Sequence, residues 1–205
     1  MSRVVLASAS PRRRELLRAL VDEFAVVPAD VEEVLKGDPV DEAVRLAEEK
    51  ARIVAQGHPE TVVIGSDTVV FDDRRAYGKP GDEDDAAAML RDLSGREHRV
   101  VTAVAVARPG GKVASAVSVA TVRLRALGED EVRAYVASGI PLDKAGAYAI
   151  QHDEFPVVAA MEGCYCTVVG LPLWALRRLL EDAGIRCGDP GTTFERCRSC
   201  PDRVR

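Results

Sequence analysis

Arg12, Arg13 and Arg14 stand together directly after Ser10-Pro11, in a chain that is acidic on average. A hydroxyl residue followed by proline is a helix start, since the hydroxyl caps free N–H groups and proline has no N–H to waste. Arginines in that first turn face the positive end of the helix dipole, at a cost of roughly 0.3 kcal/mol each. An anion resolves the conflict. First-turn N–H groups, the Ser8 and Ser10 hydroxyls and two guanidinium forks together suit a phosphate. The competing reading is a solvated basic face, because Arg14 and Arg18 continue at helical spacing.

Carboxylates come next. Gly65-Ser66-Asp67 alone breaks a β-branched run over residues 61–71, which suggests a strand whose end exposes the Asp67 carboxylate, and ligands gather at strand ends in α/β sheets. A carboxylate there can act as a general base for water or as a ligand for Mg²⁺; the alternative is a turn-forming aspartate. Glu33, beside Glu32, is either a second metal carboxylate or part of an acidic loop. Lys79 in Gly78-Lys79-Pro80 and Lys144 in Asp143-Lys144-Ala145-Gly146 are cations on restricted loops, usable for phosphate but also consistent with solvated lysines. Lys50 reads as a helical i, i+4 ion-pair partner, and His98 as a structural hydrogen bonder. No nucleophile set of the Ser/His/Asp or Cys/His kind has recognisable spacing, and the P-loop and G-x-G-x-x-G patterns are absent. From residues alone the chemistry is phosphoryl-group hydrolysis or anion binding, assisted by a metal.

The elements that must position these groups follow from pattern. Residues 3–7 and 24–27 read as short strands, 41–55 as a helix with apolar residues at three- and four-residue spacing, and 61–71 as a strand. A helix over 82–93 precedes a hairpin of 100–106 with 113–124 around Pro109-Gly110-Gly111. A helix over 129–138, short strands at 147–151 and 157–161, and a helix over 173–182 complete the set. The fold class is α/β, with a mixed, strongly curved sheet flanked by helices.

The 205 residues are enough for one domain, or two lobes sharing a core. With 28 basic against 33 acidic residues, a net charge of -5 and only nine aromatics, a broad nucleic-acid surface is disfavoured. The opening apolar run is too short for a signal peptide, and no stretch nears the roughly 20 apolar residues of a membrane helix. The expectation is a cytoplasmic chain with no membrane partner and no stable nucleic-acid complex. Five cysteines, an odd number, do not read as a secreted disulfide framework. Cys164 and Cys166 read as small core residues near a strand. Cys187, Cys197 and Cys200 fall in a Gly/Pro/Arg-rich segment, 187–205, read as a tail; its three cysteines and no histidine fall short of a four-ligand zinc site.

The order of these pieces resembles the Maf family of nucleoside triphosphate pyrophosphatases. The matching segments are Ala7-Ser8-Ala9-Ser10-Pro11-Arg12-Arg13, Glu32-Glu33, Lys50-Ala51, Gly65 with Asp67-Thr68, and Gly78-Lys79-Pro80. They continue with Ser94-Gly95-Arg96 and His98, Asp143-Lys144-Ala145-Gly146, Ile150-Gln151 and Val169-Gly170-Leu171-Pro172. The resemblance implies a domain over residues 1–186, built as two lobes with the active site between them, in the manner of inosine triphosphate pyrophosphatases. It implies hydrolysis of dTTP and UTP to monophosphate and pyrophosphate with Mg²⁺ or Mn²⁺, in a house-cleaning role. Asp67 would be the general base and, with Glu33, hold the metal. Ser8, Arg13, Lys50 and Lys79 would hold the triphosphate, while Arg12, Thr68 and Gln151 read the base. A homodimer is expected by analogy. The same reaction on 7-methyl-GTP or CTP, or a non-catalytic nucleotide-binding regulator of division, are the alternatives. His152 and the Cys166-Thr167 pair depart from the family pattern, which bears on base preference.

Overall fold

The computed structural model describes residues 3–151 and 154–204. The chain runs β1 (Val4–Leu6), α1 (Pro11–Leu17), β2 (Ala25–Val26), α2 (Pro39–Gln56), β3 (Val62–Phe71), β4 (Ala76–Tyr77) and α3 (Glu83–Leu93). Then come β5 (Glu97–Ala107), β6 (Val113–Leu124), α4 (Glu129–Ala137) and two 3-10 turns, Ile140–Asp143 and Ala145–Ala147. The rest is β7 (Val158–Glu162), α5 (Tyr165–Val169), α6 (Leu173–Asp182), α7 (Pro190–Thr193), α8 (Glu195–Arg198) and a 3-10 turn, Pro201–Val204. The seven strands form one sheet in the order β2-β1-β3-β5-β6-β7, with β4 on the far end of β3. β1 pairs parallel with β2 and β3, and the remaining pairs are antiparallel. The α/β class with a mixed sheet and flanking helices is as expected.

Strand alternation on β3 sorts its residues between two helical layers. Val63, Val69 and Phe71 pack under α2, where Ala43, Ala47, Ala51 and Val54 form the helix's buried stripe. Val62 and Ile64 face the opposite layer, with α1, α5 and α6. A third apolar cluster lies at the far ends of β3, β5 and β6, under α3 and α4. α2 itself starts on Asp38, whose carboxylate caps Val40 N at 2.9 Å, with Pro39 in the first turn.

The approach of α2 to β3 is set by Gly65. A Cβ there would lie 2.1 Å from the Ala47 carbonyl oxygen and 2.8 Å from the Ala51 nitrogen. Only a residue without a side chain lets the helix backbone settle on the strand.

Three segments differ from the sequence reading. Residues 147–151 are not a strand: a 3-10 turn with Gly146 at φ 71° turns the chain, and Ala147 and Tyr148 are buried while Gln151 is exposed. The apolar run Ala147-Tyr148-Ala149-Ile150 is what resembles a short strand in sequence. Cys164 and Cys166 are buried core residues just past β7, as expected, but the element they begin is a helix, α5, five residues long and stopped at Gly170, φ 113°. Residues 187–204 are no loose tail. Cys197 and Cys200 are buried in the cluster of α1, α5 and α6, and Trp174 Nε1 donates to the Cys197 carbonyl at 3.0 Å. Gly188 N donates to Leu20 O at 2.9 Å, closing the segment against the end of the first helical region. His152, flagged as a departure from the family pattern, lies outside the described residues.

Candidate active site

A cavity of about 630 Å³ opens between the layer of β1, α1 and α2 and the segment 143–151 of the α3/α4 lobe. Five basic side chains line it, Arg12, Arg13, Lys50, Lys79 and Lys144, against three acidic ones, Glu33, Asp67 and Asp143. An acidic chain thus presents a basic cleft, suited to a ligand carrying several negative charges.

Its floor is a carboxylate–lysine–carboxylate cluster. Lys50 Nζ donates to Asp67 Oδ1 at 2.6 Å and to Glu33 Oε1 at 2.5 Å, while Lys79 Nζ donates to Glu33 Oε2 at 2.6 Å. Lys50 belongs to the buried stripe of α2, one turn from Leu46 and Ala47. Asp67 does not end a strand as expected but lies in the middle of β3, on the same face as Gly65, so the close helix–strand contact brings the two charges together. Their side chains are 6% and 8% exposed, and Glu33, at 36%, sits nearer the mouth.

This gradient splits the two acids. Burial raises the Asp67 carboxyl above the ordinary aspartate range, despite the nearby charges of Lys50 and Arg13. Burial pushes Glu33 the same way, but hydrogen bonds and charge from Lys50 and Lys79 outweigh it and hold Glu33 at about 2. One carboxylate is therefore disposed to take a proton, and its neighbour stays ionised.

Arg13 is held mostly by the protein. Its Nε donates to Gly170 O at 2.8 Å, Nη1 to Ser66 O at 2.8 Å and to Ser8 Oγ at 3.4 Å, and Nη2 to Thr68 Oγ1 at 3.1 Å. Four of its five N–H groups are engaged, which leaves one for a ligand. Thr68 Oγ1 also pairs with Thr102 Oγ1 at 2.9 Å, and Thr102 donates to Thr167 O at 2.6 Å. Ser8 Oγ accepts from Ser10 N at 3.3 Å, and Ser10 Oγ caps Arg13 N at 3.4 Å.

Arg12 lies on the rim, 3.8 Å from Asp143. Lys144 donates to Ile140 O and to the Asp143 carboxylate, and burial lowers its pKa. Gln151 lines the exposed edge. Ser8, Arg12, Arg13, Glu33, Lys50, Asp67, Thr68, Lys79 and Gln151 therefore all border one cavity. Ser66 and Gly170, which fix Arg13 through their carbonyls, were not singled out as site residues. The glycine before Leu171-Pro172 is the sequence signal for that turn, and the structure holds it left-handed at φ 113°.

A family model described as Maf-like protein matches residues 3–183. The chain belongs to the Maf-like family. Among the relatives of this Maf-like protein is a dTTP/UTP pyrophosphatase of Aquifex aeolicus (strain VF5), 46% identical over 187 residues, covering 91% of this chain and 98% of that one. Another, a dTTP/UTP pyrophosphatase of Geobacter sp. (strain M21), is 50% identical over 175 residues, covering 84% and 91%. Among solved structures, the Staphylococcus aureus Ham1 protein overlaps 59% of this chain and 71% of its own, with 17% identity and a TM-score of 0.43. Among the described residues, no helix is long and apolar enough to cross a membrane.

Proposed function

We propose that the chain hydrolyses dTTP and UTP to the nucleoside monophosphate and pyrophosphate. The observation that carries this reading is the convergence of Asp67 and Glu33 on the Lys50 ammonium, at the floor of a cleft with five basic side chains. The activity named for relatives of matching length supports the choice of nucleotides.

In this mechanism Asp67 takes a proton from the water whose oxygen attacks the α-phosphorus. The bridging bond between the α- and β-phosphates breaks, and pyrophosphate leaves. Burial raises the basicity of Asp67, which suits it to the task at neutral pH. Lys79 and Arg12, near the mouth, meet the triphosphate charge. Ser8 Oγ accepts both of its bonds, so its hydroxyl hydrogen remains for a phosphate oxygen. Arg13 contributes its remaining N–H and fixes Thr68, while Arg12 and Gln151 border the space for the base.

Asp67 and Glu33 also fit a divalent cation. They are hard oxygen donors that already reach one common point, the Lys50 nitrogen, so their oxygens lie no further apart than the sum of those two hydrogen bonds. Mg²⁺ or Mn²⁺ held by these two carboxylates would neutralise phosphate charge and polarise the attacking water.

The test is pyrophosphate release from a panel of NTPs and dNTPs with Mg²⁺, run beside Asp67→Asn. dTTP and UTP should turn over, and Asp67→Asn should lose at least about 10²-fold in kcat, as for removal of a general base. No turnover of any nucleotide overturns the reading; undiminished turnover by Asp67→Asn overturns the role of that residue.

A further inference from the structure

Four of the five cysteines come together although they lie in two distant segments. Cys164 and Cys166 form a C-x-C at the start of α5, and Cys197 and Cys200 a C-x-x-C at α8. The sulfurs of Cys166 and Cys197 are 3.5 Å apart. The sulfurs of Cys164 and Cys200 lie within 4.8 Å of each other, and the Cys164 thiol faces that of Cys166. Among the described residues, a single group of three or more histidine, cysteine or carboxylate side chains brings its ligand atoms within 4.8 Å of one another; it contains Cys164 and Cys200 with Asp202 but not Cys166 or Cys197, so a bound metal would draw the two cysteine pairs together.

We propose that Cys164, Cys166, Cys197 and Cys200 form a structural zinc site that ties the C-terminal segment to α5. A tetrahedron with zinc–sulfur bonds of about 2.3 Å has sulfur–sulfur edges of about 3.8 Å. The 3.5 Å separation is close to that edge and far beyond the roughly 2.05 Å of a disulfide. All four ligand residues are buried, as a closed structural site requires. The backbone N–H groups of Thr167 and Asp202 face the sulfurs of Cys164 and Cys200. Asp202 borders the Cys164–Cys200 pair, and its Oδ2 accepts from Ser118 Oγ at 2.5 Å. Cys187 stands apart, with its thiol directed to Ile185 O at 3.6 Å.

The site also has a purpose in the fold. α5 ends at Gly170, whose carbonyl accepts from Arg13 and from Ser66 Oγ. A metal clamp on the first turn of α5 steadies the carbonyl that positions Arg13 in the cleft. The family match stops at residue 183, so the second ligand pair lies outside the shared domain.

The experiment measures metal in the full chain purified under reducing conditions, and in Cys197→Ser/Cys200→Ser and Cys187→Ser. The wild type and Cys187→Ser should carry one zinc per chain, and the double variant none. The metal-free, reduced wild type should take up Co²⁺ with the intense visible bands and sulfur-to-cobalt charge transfer of a tetrahedral thiolate site, which oxygen ligands such as Asp67 and Glu33 cannot produce. Failure of the reduced protein to bind either metal, a mass showing two disulfides, or full zinc retention by the double variant would overturn the proposal. None of these readouts depends on nucleotide hydrolysis.

Discussion

Gly65→Ala tests how the fold makes the site. The new Cβ would stand 2.1 Å from Ala47 O and 2.8 Å from Ala51 N, while carbon–oxygen contacts in proteins settle at about 3.3 Å or more. Both obstructing atoms are backbone, so no rotamer change relieves the clash. α2 must withdraw from β3 by roughly 1 Å, or the strand must bend by as much. Overpacking of this kind costs about 3 kcal/mol, the upper end of its usual range, because rigid elements meet. For a chain of this length that lowers Tm by roughly 6–12 °C. Lys50 lies between Ala47 and Ala51, so it moves with the helix. A shift of about 1 Å takes its 2.6 Å bond to Asp67 out of hydrogen-bonding range. Turnover should fall about 10²-fold, as misplacement on that scale does elsewhere. Thermal unfolding and pyrophosphate release would be measured beside Gly81→Ala, where a Cβ meets nothing within 4 Å. A Gly65→Ala protein with wild-type Tm and turnover would refute the link between this contact and the site.

The other expectations concern charge. Asp67 has a raised pKa, and the base must be ionised, so kcat/KM should fall with decreasing pH through a value above the ordinary aspartate 3.8; an acid limb at or below 3.8 would contradict the assignment. Lys50→Met leaves Asp67 buried without its ammonium, and should lower stability in urea by about 3–5 kcal/mol. Wild-type stability at neutral pH would show that the pair is not coupled. His98 is buried against Tyr148 OH at 2.8 Å, and burial lowers its pKa from 6.5 to about 4. The unfolded chain then binds the extra proton first, so about 3 kcal/mol of stability is present above pH 6.5 and lost as pH falls towards 4. His98→Gln should not show that drop in urea titrations across the window.

The sequence made Lys50 more legible than an i, i+4 ion-pair reading allows. Ala43, Leu46, Ala47, Ala51 and Val54 define a buried stripe, and position 50 falls within it. A lysine there must meet a buried anion, and the alternation of β3 supplied Asp67. What local pattern does not encode is which helix lands on which strand. Gly65 is conspicuous only once Ala47 and Ala51 are seen against it. Residues 147–151 misled for a related reason: burial on a turn and burial on a strand leave the same apolar trace. α5 escaped notice because its Tyr-Cys-Thr-Val-Val sequence suits a strand, and only the left-handed Gly170 stops it as a helix.

The arginine run shows how local electrostatics can have two answers. Spacing placed Arg12 and Arg13 at the unfavourable end of α1, and an anionic ligand was the natural compensation. The fold supplies much of that compensation itself. Arg13 faces the carbonyl at the end of α5 and the Ser66 carbonyl, and Arg12 lies beside Asp143. Both partners of Arg13 come from segments more than 50 residues away, so no reading of nearby sequence could supply them. A guanidinium fixed by four protein contacts cannot swing to follow a ligand. Its remaining N–H, like the Ser8 hydroxyl it helps orient, is set before the triphosphate arrives, and that fixed geometry is what phosphoryl transfer draws on. Loosening α5 should therefore weaken triphosphate binding through Arg13, even though no residue of α5 need touch the phosphates.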